Sequence, residues 1–192
     1  ILLLYSYSEH SNRGLSHKEK NVLFFLEHLG DMDVYFIVNG EFNNAKIKAA
    51  LEENPNIKVV RRQNRGFDFG AYSDVLLNHH RDYDYFFFIN DSVRGPFIPF
   101  WNKTKWYRYF IDLLDDDIHL VGPTINFYMG RPHVTSAMFL LSKKGVELCI
   151  QNQIFSTAFH TELWHVSEQC EVKMSSIMLD SGYNIRCLCE AY

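Results

Sequence analysis

The first half of the chain alternates short apolar runs with helix-like patterns. The run over residues 83–89 is almost uninterruptedly apolar, which is typical of a central strand buried on both faces. Strands are predicted at residues 1–7, 33–38, 57–60 and 83–89, and helices with one apolar face at residues 18–29, 45–53 and 70–79. This β-α-β-α-β-α-β order predicts an α/β fold with a mostly parallel central sheet, right-handed crossovers and flanking helices.

The second half is less regular. Helices are predicted over residues 103–114 and 170–181, and strands over residues 119–122, 134–141 and 184–188. Gly182 suits the C′ position after the last helix, where a left-handed backbone favours glycine. No repeat or linker interrupts the 192 residues, so a single domain is expected. The chain does not begin with Met, which fits a piece of a longer polypeptide.

Charge and cysteine usage exclude several classes of protein. The formal net charge is −4 without a long basic run, so we expect no nucleic-acid binding. The apolar residues 1–4 are too few for a membrane span. Cys149, Cys170, Cys187 and Cys189 show no C-x-x-C spacing. Free thiols in a reducing compartment are therefore expected, that is, a cytoplasmic location, or the host cytosol if the chain is viral.

Polar residues and glycines follow the predicted strands of the first half. Ligands of parallel α/β sheets bind at the carboxyl ends of the strands, so this edge is the expected site. After the third strand, Arg65 is placed to neutralise a pyrophosphate, and Asp68 to accept hydrogen bonds from ribose or sugar hydroxyls. The alternative is that Asp68 caps the following helix and that Gly66 and Gly70 only make the turn.

Asp91 follows the fourth predicted strand directly, within Asn90-Asp91-Ser92. A carboxylate at this position faces the ligand crevice. Mg²⁺ or Mn²⁺ is commonly held by one or two carboxylates together with phosphate oxygens, and such a metal would stabilise a leaving nucleoside diphosphate. The alternative is that Asp91 serves only in a turn or as a cap.

Two carboxylates, Glu168 and Glu171, lie near the start of the predicted helix over residues 170–181. Either could take a proton as a general base. The alternative is that both are solvated carboxylates, which the helix dipole favours at a helix N-terminus.

Three motifs taken together resemble a known family. They are Asn64-Arg65-Gly66-x-Asp68-x-Gly70, Asn90-Asp91-Ser92-Val93-x-Gly95-Pro96 and Pro132-His133-Val134-x-Ser136. The sequence resembles the rhamnan-synthesis F family, glycosyltransferases of the GT-A type from polysaccharide assembly. More loosely it is similar to the family 2 glycosyltransferases and to the chlorovirus GT-A domains that build capsid glycans. The resemblance covers most of the chain, residues 1–188.

The resemblance implies a GT-A (Rossmann-like) fold, with a nucleotide-sugar-binding half at residues 1–100 and an acceptor-binding and catalytic half at residues 101–192. It implies a UDP- or dTDP-linked sugar donor and a divalent metal, Mn²⁺ or Mg²⁺, held by Asp91. Glu171 is the implied catalytic base, because its distance from Gly182 matches the family 2 spacing, and Glu168 is its competitor. The implied donor-binding residues are Tyr5, Ser6, Ser8, Asn39, Arg65, Asp68, Asn90, Asp91 and Ser92, and the implied acceptor-binding residues are His133 and Ser136.

The function expected from these residues is transfer of a sugar, rhamnose or another hexose, to a hydroxyl of a glycan or glycoprotein with inversion. Asn90-Asp91-Ser92 departs from the D-x-D motif of GT-A enzymes by having one carboxylate. Two alternatives remain. A sugar-nucleotide nucleotidyltransferase usually has a glycine-rich basic loop after the first strand, whereas residues 6–14 contain one Gly and one Arg. A non-catalytic module would bind a nucleotide sugar or a glycan without turnover.

Overall fold

The computed structural model describes residues 1–9 and 15–189. Within these residues the strands are β1 Leu2–Tyr7, β2 Asp33–Asn39, β3 Ile57–Arg62, β4 Tyr85–Asn90, β5 Ile118–Gly122, β6 Ile125–Tyr128, β7 Arg131–Val134, β8 Met138–Ser142 and β9 Asn184–Cys187. The helices are α1 Leu15–Leu26, α2 Ala45–Glu52, α3 Phe67–His79, α4 Arg108–Ile111, α5 Lys143–Gln151, α6 Leu163–Val166 and α7 Lys173–Asp180. A π-helical segment, Ser167–Val172, joins α6 to α7.

Seven strands form one sheet in the order β3-β2-β1-β4-β8-β5-β9. The neighbours from β3 to β4 run parallel, as do β5 and β9, whereas β8 runs antiparallel to both β4 and β5. The expected mostly parallel sheet with flanking helices is therefore confirmed. Because β1, β2, β3 and β4 are parallel, their carboxyl ends meet at one edge of the sheet.

The central strands are covered on both faces. On one face Leu4 of β1 and Phe88 of β4 pack in a core cluster with Tyr72 of α3. On the other face the ring of Tyr5 lies 4.9 Å from the ring of Phe25 in α1. Successive side chains of a strand point to opposite faces, so a strand covered on both sides needs apolar residues at consecutive positions. This is the physical origin of the uninterrupted apolar runs.

Element boundaries differ from the sequence prediction in several places. α1 lies three residues earlier than predicted at both ends, α3 begins at residue 67 instead of 70, and β3 ends at residue 62 instead of 60. The helix expected over residues 103–114 is reduced to α4, flanked by turns. There the Asn102 carboxamide accepts a hydrogen bond from the Thr104 amide at 2.9 Å. Such a local side-chain bond offers the backbone an alternative to the helix.

The strand expected over residues 134–141 is two strands, β7 and β8, which belong to different sheets. β7 pairs antiparallel with β6 in a hairpin that the sequence does not predict. The turn residues Met129 and Gly130 have φ angles of +48° and +77°, as a type I′ turn requires. The preferred signal for this turn is Asn-Gly or Asp-Gly, and Met-Gly lacks it.

The helix expected over residues 170–181 is the end of a longer helical stretch that begins with α6 at residue 163. Gly182 has a φ angle of +84°, which confirms its predicted C′ position. The sequence analysis does not predict α5, which begins after Ser142, whose hydroxyl accepts a hydrogen bond from the Gly145 amide at 3.2 Å. Among the described residues, no helix combines the length and the apolar character that crossing a membrane requires.

Candidate active site

A chain of polar side chains crosses the carboxyl ends of four adjacent strands. Arg62 of β3 donates from Nη1 to Oδ1 of Asn39 in β2 at 2.7 Å, and Asn39 donates from Nδ2 to Oγ of Ser6 in β1 at 3.0 Å. Ser6 donates from Oγ to Oδ1 of Asp68 at 2.7 Å, and Asn90 of β4 donates from Nδ2 to Oδ2 of Asp68 at 2.9 Å. Asp68 is thereby held at the centre of the expected ligand-binding edge.

Asp68 is the second residue of α3 and makes no cap. The N-cap residue is Gly66, with a φ angle of +71° that favours glycine. A Cβ atom on Gly70 would lie 2.8 Å from the backbone oxygen of Arg65 and 2.9 Å from the Phe159 ring. The glycines therefore allow the loop to turn and to pack closely, while the Asp68 carboxylate bonds to β1 and β4. The capping alternative for Asp68 is wrong.

Asp91 binds an ammonium group that the sequence analysis does not single out. Lys18 donates from Nζ to Oδ2 of Asp91 at 2.9 Å, to the Ser8 carbonyl at 2.9 Å and to the Ser8 hydroxyl at 3.2 Å. The Ser8 amide also donates to Oδ2 of Asp91 at 2.9 Å. Lys18 lies in the first turn of α1, and the first turn of a crossover helix lies near the carboxyl end of the preceding strand. That topology is the signal that could have identified Lys18.

Asp91 is 8% exposed. Burial is the largest influence on its pKa and raises it above the ordinary value. The hydrogen bond and charge of Lys18 and the Ser8 amide lower the pKa, and the nearby Asp68 carboxylate raises it. The net pKa is raised, so the ion pair with Lys18 offsets only part of the effect of burial.

Glu171 lies on the π-helical segment. Its Oε2 accepts a hydrogen bond from the Ser136 hydroxyl at 2.8 Å, and its Oε1 accepts from the Ser136 amide at 3.3 Å. Nε2 of His133 lies 3.6 Å from Oε1 of Glu171. Because the helical stretch begins at Leu163, Glu171 is not at a helix N-terminus as expected from the sequence. Its orientation comes from Ser136 instead of from a helix dipole.

Two neighbouring cavities meet at Glu171. The first is about 690 Å³, and we call it the donor cavity after the donor-binding residues predicted for this edge of the sheet. It is lined by Ser8, Lys18, Asn39, Asn64, Phe67, Asp68, Phe69, Asn90, Asp91, Ser92, Ser136, Leu163, Val166, Ser167 and Glu171. The second is about 570 Å³, and we call it the acceptor cavity after the predicted acceptor-binding residue His133; Ser136, the other one, lines the donor cavity instead. The acceptor cavity is lined by Tyr128, His133, Glu162, Leu163, Trp164, Ser167, Glu168, Glu171 and Val172. Glu171, Leu163 and Ser167 line both.

The structure thus brings together most of the predicted donor-binding residues, but not all of them. Tyr5 is completely buried in the core, because its side chain and that of Ser6 point to opposite faces of the sheet. Its side chain is therefore not accessible to a donor, which corrects that expectation. Arg65 does not line the donor cavity, since its guanidinium lies 4.5 Å from the ring centroid of Phe159. Glu168 lines the acceptor cavity and accepts a hydrogen bond from the Tyr128 hydroxyl at 3.3 Å.

The carboxylate oxygens of this site are poorly placed to bind a divalent metal ion. Both oxygens of Asp68 accept hydrogen bonds from the protein, and Oδ2 of Asp91 is bound to the Lys18 ammonium. Within residues 1–9 and 15–189, no group of three His, Cys, Asp or Glu side chains is arranged to hold a metal ion. The position that the sequence assigns to a metal beside Asp91 thus already adjoins a cationic group.

No protein-family model matches the chain, and no curated protein matches it. Solved structures do. A mannosyltransferase from Pyrobaculum calidifontis in complex with GDP-Man and Mn²⁺ has a TM-score of 0.62 at 11% identity. A cytidylyltransferase from Leptospira borgpetersenii has a TM-score of 0.56 at 13% identity. A nucleotide-diphospho-sugar transferase from Desulfovibrio desulfuricans has a TM-score of 0.55 at 14% identity.

The chain has a GT-A type fold. Each of the three likenesses covers 97% of this chain, so the GT-A fold extends over nearly all of it. The chain spans 53% of the mannosyltransferase, 74% of the cytidylyltransferase and 78% of the third protein. At these identities the likeness shows the fold alone. The narrower resemblance to the rhamnan-synthesis F family and the chlorovirus enzymes stays a prediction.

Proposed function

We propose that this chain is a glycosyltransferase that moves a sugar from a nucleoside-diphosphate donor to an acceptor hydroxyl with inversion. The observation that carries the proposal is the junction of the two cavities at Glu171. One carboxylate faces both a polar cavity at the strand ends and a second cavity with exposed aromatic rings. An inverting transfer needs this arrangement, because its base must reach the acceptor hydroxyl on the side of the sugar opposite the leaving group.

The donor cavity suits a nucleotide sugar in size and polarity. Ligand pockets commonly measure roughly 300–1,000 Å³ with a few fixed polar groups. The Asp68 oxygens each accept one hydrogen bond from the protein and keep a further lone pair for a sugar or ribose hydroxyl. Asn39, Asn90 and Ser92 line the same cavity. The family resemblance supports a UDP- or dTDP-linked donor, and rhamnose or another hexose as the sugar.

The acceptor cavity offers aromatic surface beside carboxylates. Trp164 is 59% exposed and Tyr128 is 43% exposed at its rim, and Glu168 accepts a hydrogen bond from Tyr128. Apolar C–H faces of a sugar pack against such rings, and its hydroxyls donate to the carboxylates. A glycan or glycoprotein acceptor placed here points one hydroxyl towards Glu171. Ser136 orients the Glu171 carboxylate, and His133 lies beside it.

The reaction is a single displacement. The acceptor oxygen forms a bond to the anomeric carbon, while the bond from that carbon to the diphosphate oxygen breaks and its electron pair leaves with the diphosphate. The proton of the acceptor hydroxyl passes to the Glu171 carboxylate. Positioning in the two cavities and stabilisation of the charge on the leaving diphosphate supply most of the rate enhancement.

Sugar-nucleotide synthesis is the second candidate, because a cytidylyltransferase shares the fold. Such an enzyme joins a nucleoside triphosphate to a sugar phosphate and releases pyrophosphate. The loop that would bind the triphosphate spans residues 6–14, of which residues 10–14 lie outside the described part of the chain.

A module that binds a nucleotide sugar without turnover is the third candidate function. The four free cysteines support a reducing, cytoplasm-type location for any of the three.

The deciding experiment starts with thermal shift against UDP-, dTDP-, GDP- and CDP-sugars, in EDTA and in Mn²⁺. The donor with the largest shift is then incubated with a panel of acceptor sugars, and release of the nucleoside diphosphate is measured. The anomeric configuration of the product, read by NMR coupling constants, tests inversion. If the chain instead joins a nucleoside triphosphate to a sugar phosphate and transfers no sugar to an acceptor, it is a nucleotidyltransferase and the glycosyltransferase proposal is wrong.

A further inference from the structure

Lys18 combines three properties that set it apart from the other lysines of the chain. It lines the donor cavity, its side chain is only 18% exposed, and its ammonium binds a buried carboxylate. Lys46, by comparison, pairs with Glu19 with a side chain that is 72% exposed. A lysine side chain that lines a polar cavity and is fixed by its hydrogen bonds is a prepared cationic site for an anionic ligand.

We propose that the Lys18 ammonium is the cation that binds the diphosphate of the donor, so that the site works without a divalent metal ion. The inference rests on the proposed function and names the group that does in this chain what Mn²⁺ is expected to do in the mannosyltransferase that shares its fold. The Asp91 carboxylate and the Ser8 carbonyl fix the position of the ammonium, each at 2.9 Å. The Ser8 hydroxyl contact is longer, at 3.2 Å, and is the one that a phosphate oxygen replaces.

A divalent metal and the ammonium compete for the same carboxylate. Mg²⁺ binds carboxylate oxygens at about 2.0–2.1 Å. An ion on Oδ2 of Asp91 would therefore lie within about 5 Å of Nζ of Lys18, which is itself 2.9 Å from that oxygen. Two cations this close repel strongly in a partly buried site. A metal on that oxygen would require Lys18 to move away, and Lys18 would then lose its three hydrogen bonds.

The single carboxylate of Asn90-Asp91-Ser92 is consistent with an ammonium group, instead of a metal ion, as the cation of the site. A divalent ion bridging two phosphates is better neutralised by two carboxylates, whereas one ammonium needs one counter-charge. Asp68 lies on α3, outside this motif, and each of its oxygens already accepts one hydrogen bond, from Ser6 and from Asn90. The third anionic side chain of the donor cavity, Glu171, is held by Ser136.

Isothermal titration calorimetry of the whole chain with UDP, dTDP and GDP tests the inference. At least one of these nucleotides should bind in EDTA, with an affinity that changes less than about threefold when Mn²⁺ replaces EDTA. Lys18→Met should weaken that binding in EDTA by about tenfold or more, the usual effect of losing a charge-assisted hydrogen bond. Lys18→Arg should weaken nucleotide binding less than Lys18→Met does, because Arg keeps the positive charge. Lys20→Met is the matched control, because Lys20 is exposed on the same helix and should leave affinity unchanged.

Lys18→Met leaves Asp91 buried without its partner, so the variant risks unfolding. The double variant Lys18→Met/Asp91→Asn removes both charges, and circular dichroism checks its fold. It should also bind at least tenfold more weakly. If the wild-type chain binds nucleotide only with Mn²⁺, or if Lys18→Met binds as tightly as wild type in EDTA, the inference is overturned and the glycosyltransferase proposal stands. If no nucleotide binds in either condition, the proposed function falls with it.

Discussion

Replacing Glu171 by Gln removes the proposed proton acceptor with little change in shape. The carboxamide oxygen of Gln can still accept the hydrogen bond that the Ser136 hydroxyl now donates at 2.8 Å. The side chain should therefore keep its place between the two cavities. The donor diphosphate is proposed to bind at Lys18, whose hydrogen bonds are to Asp91 and Ser8, so nucleotide affinity should not change.

The expected loss of turnover follows from the role of a general base. Such a group typically contributes about 10²- to 10⁴-fold, or about 2.7–5.5 kcal/mol of the activation barrier. We expect the lower end, about 10²-fold, because the cavities that meet at Glu171 are large enough to admit water as a substitute base. The measurement is kcat for nucleoside-diphosphate release with the donor and acceptor identified by screening, together with the dissociation constant of the nucleotide.

Glu168→Gln is the matched control. Glu168 lies on the same π-helical segment and accepts its hydrogen bond from Tyr128 instead of Ser136. It should change kcat by no more than a few-fold. If Glu168→Gln were inactive and Glu171→Gln had normal turnover, Glu168 would be the general base instead of Glu171. Normal turnover in both would move the base elsewhere, to Asp68 or His133, or would mean that the reaction retains configuration.

Four further outcomes are expected. Lys18→Met should raise the pKa of Asp91 further, because Lys18 lowers it, and ¹³C NMR titration of the carboxyl measures this. The folded pKa of Asp91 exceeds its ordinary value of 3.8, so its contribution to stability is greatest below about pH 3.8 and falls as pH rises through the folded pKa. Urea unfolding of wild type and Asp91→Asn between about pH 3 and pH 7 measures this. Gly70→Ala should lower the free energy of unfolding by about 1–3 kcal/mol, because its Cβ would meet the Arg65 backbone oxygen at 2.8 Å. Trp164→Ala should raise the KM for the acceptor about 3- to 10-fold without weakening nucleotide binding, as loss of an aromatic contact does.

Each of these outcomes has a result that would contradict it. An unchanged Asp91 pKa in Lys18→Met would mean that the ion pair does not form in solution. A difference in unfolding free energy between wild type and Asp91→Asn that does not vary with pH would mean that burial does not raise the Asp91 pKa. Wild-type stability in Gly70→Ala would mean that the loop before α3 relaxes freely. Trp101→Ala is the control for Trp164→Ala, because Trp101 is exposed but lies outside both cavities. An equal effect of the two variants would remove Trp164 from the acceptor site.

The sequence by itself determined the parallel strands β1, β2 and β4. Strands covered on both faces must be apolar at consecutive positions, so the runs ending at Tyr7, Val38 and Ile89 mark the parallel strands within one residue of their observed ends. The topology then brings the polar residues after those strands to one edge. For that reason Ser8, Asn39, Asp68, Asn90 and Asp91 could be predicted as neighbours, and they line one cavity.

Only the tertiary structure decided which of those side chains meet and which turn away. Lys18 and Asp91 are 73 residues apart in sequence, and Ser136 and Glu171 are 35 apart. Their contacts depend on how α1 and the π-helical segment pack against the sheet. Periodicity gives the face of a residue within its own element, but the position of one element against another comes from the fit of many side chains. Arg65 shows the same limit, because its guanidinium lies over the ring of Phe159, which is distant in sequence.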